Sequence, residues 1–170
     1  MRFLVLPLVT GLVLAAPAAA VLRTPQMTLR PADVPRGFVL DRSRSGAPTF
    51  SSPSEVPTGF RAGSFTSFRD PSPQPTRRIE SLAFVFSGAD TAERFLVTLR
   101  RVNSRLRSEA VSIGSRGVIL TPPGPDSTVI VAWRHGRITA LVVCRKVDRP
   151  RERAIALARV QERRIVAALR

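Results

Sequence analysis

Two neighbouring segments are apolar on both side-chain parities, and they restrict the fold more than any other feature of the chain. Val129, Ile130, Val131, Ala132 and Trp133 form the first, and Ile138, Thr139, Ala140, Leu141, Val142 and Val143 the second. Successive side chains of a strand point to opposite faces, so segments of this kind need cover on both faces of their sheet. Between them, Arg134, His135, Gly136 and Arg137 include a glycine able to take positive φ, which predicts a hairpin. Residues 79–86 repeat the pattern, with Leu82, Phe84 and Phe86 on one parity and Ile79, Ala83 and Val85 on the other. The rest of the chain must therefore supply two covering layers.

Two amphipathic helices are available. The first is predicted to start at Ser87, Gly88, Ala89 and Asp90, with Ser87 as the cap and Asp90 near the positive end of the helix dipole. Ala92, Phe95, Leu96, Leu99, Val102 and Leu106 then recur at three and four residues as one apolar stripe. The second helix is predicted from Pro150 to Leu169, with Ala154, Leu157, Ala158, Ile165, Ala168 and Leu169 on one side. Further strands are expected over residues 38–43, 62–69 and 117–120, and loops over the proline-rich residues 70–76 and 121–126. The expected architecture is α+β: an antiparallel sheet of five or six strands with one helix on each face, or both helices on one face and an irregular Phe-containing segment on the other. Residues 1–20 are assigned to a signal peptide, 21–37 to an N-terminal tail and turn, and 38–170 to one domain.

The order of the pieces carries a resemblance. A Val34, Pro35, Arg36, Gly37, Phe38 entry precedes Gly59, Phe60 and Phe68; a strand follows, then a helix opening Ala89, Asp90, Thr91, Ala92, Glu93. After the Arg134 to Arg137 hairpin comes a helix containing Ala156, Leu157, Ala158, Arg159, Val160 and Gln161. This layout resembles small exported bacterial domains of unknown function and is similar to the PsbP/Mog1-like α/β/α sandwich. The resemblance implies a binding or accessory role without a shared active site, and it transfers no functional residue.

The N-terminus reads as an export signal: Arg2, an apolar run from Phe3 to Ala16, then Pro17 and three alanines, with cleavage expected after Ala20 or, second, Ala18. An uncleaved anchor is the alternative; the run is short for a membrane span and carries Pro7 and Gly11. The expected location is secreted, periplasmic or in the cell envelope. Cys144 is the single cysteine, so no internal disulfide forms, and its position at the end of an apolar run predicts a buried, inert thiol.

The formal net charge is +15, from 27 basic and 12 acidic residues, and Lys146 is the one lysine. Such a surface attracts polyanions at low salt. Arginine also binds carboxylate and phosphate through a planar two-pronged donor, although a codon preference for arginine would explain its excess over lysine equally well. Candidate residues for an anionic partner are Arg94, Arg101 and Arg105 on the first helix, with Arg100 and Arg107 nearby, and Arg153, Arg159, Arg163 and Arg164 on the second. The expected partner is an anionic envelope component or an acidic protein, with peripheral membrane contact as a variant. The export signal, the lack of Tyr and the single Trp133 argue against nucleic acid.

Catalytic chemistry has little to build on. His135 is the one histidine and is expected at a solvated hairpin tip, with Cys144 at the far end of the following strand, so neither a Cys/His metal cluster nor a Cys-His dyad is expected. The acids are scattered, and no phosphate-binding glycine loop is present. No cofactor and no metal are expected. The sequence therefore points to an exported, non-enzymatic binding or accessory domain. The rivals are a hydrolase-type enzyme with a carboxylate-based site, which requires acids converging in an apolar-walled pocket, and a structural or inter-subunit module.

Overall fold

A computed structural model describes residues 24–50, 52–72, 77–124 and 127–170. The expected export signal over residues 1–20 lies outside these, as do residues 73–76 and 125–126 of the two proline-containing loops.

Seven antiparallel strands form one sheet: β1 Val39–Leu40, β2 Phe60–Arg69, β3 Arg78–Phe86, β4 Arg107–Val111, β5 Arg116–Thr121, β6 Val129–His135 and β7 Ile138–Arg145. Their spatial order is β1-β2-β3-β7-β6-β5-β4. The two helices are α1 Ala89–Val102, between β3 and β4, and α2 Pro150–Ala168, after β7. The α+β architecture is as the sequence predicts, but the count of five or six strands is corrected to seven. The additional strand is β4. It lies at the sheet edge and four of its five residues are exposed, so it carries no apolar alternation to read. The β6–β7 hairpin pairs His135 with Ile138, and Gly136 takes φ 53°, as the turn requires.

One helix covers each face. On the α2 face, Ile79, Ala83, Val85, Val131, Trp133, Ile138, Ala140 and Val142 pack against Ala154, Leu157, Ala158 and Ile165. On the α1 face, Phe84, Phe86, Val118, Leu120, Ala132 and Leu141 pack against Ala92 and Leu96. Burying a large apolar side chain contributes about 1.5–3 kcal/mol, so both layers are needed to hold the sheet. Residues 24–37, expected as a tail and turn, do more than join the fold: Met27, Leu29 and Val34 are buried in the α2-face core.

A buried polar chain fixes that segment. The Leu29 amide donates to Ser81 Oγ at 3.0 Å, Ser81 Oγ donates to Gln161 Oε1 at 2.8 Å, and Gln161 Nε2 donates to the Leu82 carbonyl at 2.8 Å. One glutamine thereby ties α2, β3 and the N-terminal segment together.

The helix bounds differ in detail from expectation. Gly88, not Ser87, occupies the cap of α1, and Thr91 Oγ1 accepts from the Gly88 amide at 3.1 Å while donating to the Gly88 carbonyl at 2.9 Å. The helix stops at Val102, so Leu106 packs from the connection that follows. Leu169, expected on the apolar side of α2, lies beyond that helix and is 44% exposed.

Candidate functional site

The α1 face is incompletely covered, and the gap is the most distinctive concavity among the described residues. Helix α1 lies over β3, β7 and β6, while residues 46–50 and 52–58 run over β2, joined to it by paired Gly46 and Phe65 backbone hydrogen bonds of 2.8 Å. Between these two covers the sheet presents Phe65, Leu82 and Phe84 as the floor of a groove of about 680 Å³. That volume is within the range of small-molecule sites, about 300–1,000 Å³.

One wall of the groove is α1, through Thr91, Arg94, Phe95, Thr98, Leu99 and Val102. The helical repeat places these residues on one side of α1, next to the stripe that enters the core. The facing wall is the irregular segment, through Pro48, Phe50, Glu55, Val56 and Pro57. Proline and glycine deny this segment regular structure, apart from a 3-10 turn at Pro53–Glu55. A phenylalanine cluster stiffens the groove: Phe60 meets Phe50 at 5.3 Å and Phe84 at 6.1 Å, both edge to face, and Phe84 meets Phe95 at 5.3 Å. At the start of α1, Gly59 has φ +73°, and a Cβ there would come within 2.8 Å of Thr91 Cγ2. The two walls therefore close on each other at the Thr58, Thr91 and Arg94 end.

The sequence showed the ingredients of the groove but not the groove. The phenylalanines of residues 50–68 were legible as covering material, and Val102 as part of a core stripe. Instead Val102 is 63% exposed at the groove rim.

The seven candidate arginines divide between the two sides of the sheet. Arg94, Arg101 and Arg105 are exposed on the α1 side and make no ion pair among the described residues. Arg153, Arg159, Arg163 and Arg164 belong to the α2 side. There Arg164 is committed to Asp33, with Nε and Nη2 donating to its two carboxylate oxygens at 2.7 and 2.9 Å. Arg153 Nε donates to the Asp148 carbonyl at 3.4 Å, while Arg159 and Arg163 are exposed. The set is not one contiguous field.

Many of the acids are taken up by arginine. Glu80 is buried between Arg44 and Arg145, Glu93 pairs with Arg116 and Arg134, and Asp41 pairs with Arg78. Burial is the largest single influence on Asp33 and opposes its charge. The Arg164 hydrogen bond, the Arg30 amide and both guanidinium charges outweigh it, so the carboxyl is held below its usual range. Asp41 is held low chiefly by its hydrogen bond from Ser43, then by Arg78 and Arg69, against a cost from burial. Among the described residues Glu55 is the one acid lining the groove, and no group of His, Cys, Asp and Glu could hold a metal ion.

His135, expected as a solvated turn residue, is instead half-buried. Its Nδ1 lies 2.6 Å from Glu162 Oε1, and Trp133 Nε1 donates to Glu162 Oε2 at 2.6 Å. Sequence reasoning missed this trio because its acid comes from α2, 27 residues further along the chain. Cys144 is buried as expected, and burial pushes its thiol up to about 12, against a smaller opposing effect of Arg153. It sits opposite Val129, at the other end of the hairpin ladder from His135. The two cannot form a dyad.

No family model matches the chain, and no curated protein matches it. Among solved structures, the fold is similar to that of the extracellular domain of PknH from Mycobacterium tuberculosis, with a TM-score of 0.55 and 13% sequence identity over 85% of this chain and 95% of that one. The likeness is one of fold: an antiparallel sheet with helical cover, in which this chain places its apolar groove on the α1 face.

Proposed function

We propose that the protein is an exported, non-catalytic binding domain of the bacterial envelope, with its ligand site in the groove between α1 and residues 48–50 and 54–58. The observation that carries this reading is the groove itself, about 680 Å³ and floored by Phe65, Leu82 and Phe84. An apolar concavity of this size with a few polar groups at its edge is the usual form of a small-molecule site. The signal-like residues 1–20 and the fold likeness to an extracellular domain support export. Helices on both faces of an antiparallel sheet support the PsbP/Mog1-like layout as part of the same reading.

The test uses Nile red, a neutral dye that brightens in apolar surroundings. Wild type should give saturable enhancement. Thr98→Phe and Ser54→Phe, which project bulk into the groove from its two walls, should each weaken binding about tenfold or more. Trp133 is fully buried on the opposite face, so its emission reports whether each variant is folded. Absence of saturable binding by wild type, or binding unaffected by either variant in folded protein, would refute the groove as a ligand site.

A second element of the proposal concerns charge. Arg94 and Arg101 on α1, and Arg105, which lies in the turn after that helix and not on it as expected, support contact with an anionic envelope component on the same side of the molecule as the groove.

A further inference from the structure

Resting on the groove as a ligand site, we infer that its ligand is a single-chain amphiphile with an anionic head, carboxylate or phosphate, seated with the head at Arg94 and the chain running toward Val102. The groove is polarised along its length. Its walls meet at one end beside Thr58, Thr91 and Arg94, where the Thr91 hydroxyl is spent on the cap of α1 and the Arg94 guanidinium carries the charge. From Phe95 to Val102 the helix wall becomes mainly apolar, over a floor of Phe65 and Leu82. Thr91 to Val102 spans three turns, about 17 Å of helix. That is a channel for an extended chain, longer than a compact ring system requires.

The head-group charge follows from the state of Arg94. This residue lines the groove and forms no ion pair among the described residues. Asp90, one turn earlier, makes no ion pair with it, and Glu93 beside it is committed to Arg116 and Arg134. On the facing wall Glu55 has an interaction of its own. A guanidinium presents paired N–H donors whose geometry matches the oxygens of carboxylate and phosphate, and the net charge of +15 draws anions toward the site.

The experiment displaces Nile red with four ligands that share a twelve-carbon chain and are kept below their micelle concentrations: laurate, dodecyl phosphate, dodecanol and dodecyltrimethylammonium. The two anions should displace the dye at concentrations about tenfold or more below dodecanol, as befits a charge-assisted hydrogen bond, and the cation should be weakest. Whichever anion is tighter tells a fatty-acid carboxylate from a lipid phosphate as the source. Arg94→Gln should remove the anion preference while leaving dodecanol unchanged, and Arg137→Gln, on the exposed hairpin turn, should leave both intact. Equal displacement by dodecanol and the anions, or a preference that survives Arg94→Gln, overturns the head-group assignment alone. Failure of the dye to bind overturns the groove itself, so the two failures are distinguishable.

Discussion

Cys144 and Asp33 show how far a side chain's chemistry depends on what covers it. The Cys144 thiol is wholly buried in the α2-face core, and its ionisation is pushed up to about 12. The thiolate is the reactive form, so the native protein at pH 8 should label with iodoacetamide only as fast as that core opens. In denaturant, labelling should become as fast as that of a free thiol. Rapid native labelling would show the core to be open on that side. Burial of Cys144 was legible because it ends an apolar run; the polar contacts between strands and α2 were not. The Trp133, Glu162 and His135 trio joins β6 to α2, and the Gln161 relay joins three elements. Pairings of this kind depend on which helix residue lands over which strand residue, and no local spacing encodes that.

At the level of elements, the doubly apolar strands were the most readable, because their composition states a requirement that few packings meet. The segments of β3, β6 and β7 and both helices have clear local signals and those of β1, β2 and β5 weaker ones, whereas β4 has none, because an exposed edge strand can be built from polar residues such as Arg107, Ser108 and Glu109. The groove was unreadable for a related reason: a covering segment without periodicity does not reveal what it leaves uncovered. The N-terminal segment offers a test of how such a piece is fastened. Asp33 is the anchor, joined to Arg164 through two hydrogen bonds. Its carboxyl is held below the ordinary aspartate value of about 4, so the stabilisation is complete above that value and is lost as pH falls through the lower, folded one. Asp33→Asn should lower the melting temperature at neutral pH and flatten its fall between pH 4 and pH 2. A variant whose acid limb matches wild type would show that the pair contributes nothing to folding.

Across the whole molecule the positive charge is uneven in its commitments. On the α2 side Arg164 and Arg151 are held by Asp33 and Glu109 while Arg159 and Arg163 make no ion pair among the described residues; Glu93 of α1 holds Arg116 and Arg134, while Arg94, Arg101 and Arg105 have no acid partner among the described residues. Retention on vesicles containing phosphatidylglycerol should therefore fall steeply between about 0.05 and 0.5 M salt, as screening shortens the reach of these charges. Because the proposed contact lies on the groove side, substituting Arg101 and Arg105 by Gln should weaken retention more than the same change at the equally exposed Arg159 and Arg163. Salt-independent retention, or the reverse ranking, would remove the anionic surface from the proposed function. The strand order also governs how the molecule can be assembled in time. Because β3 must wait for β7, and Ser81 on β3 for Gln161, a nascent polypeptide that has released everything up to β6 still lacks the central seam of its sheet and the lid over it. The two halves of the sheet, β1 to β3 and β4 to β6, therefore stay unjoined until residues 138–168 have emerged.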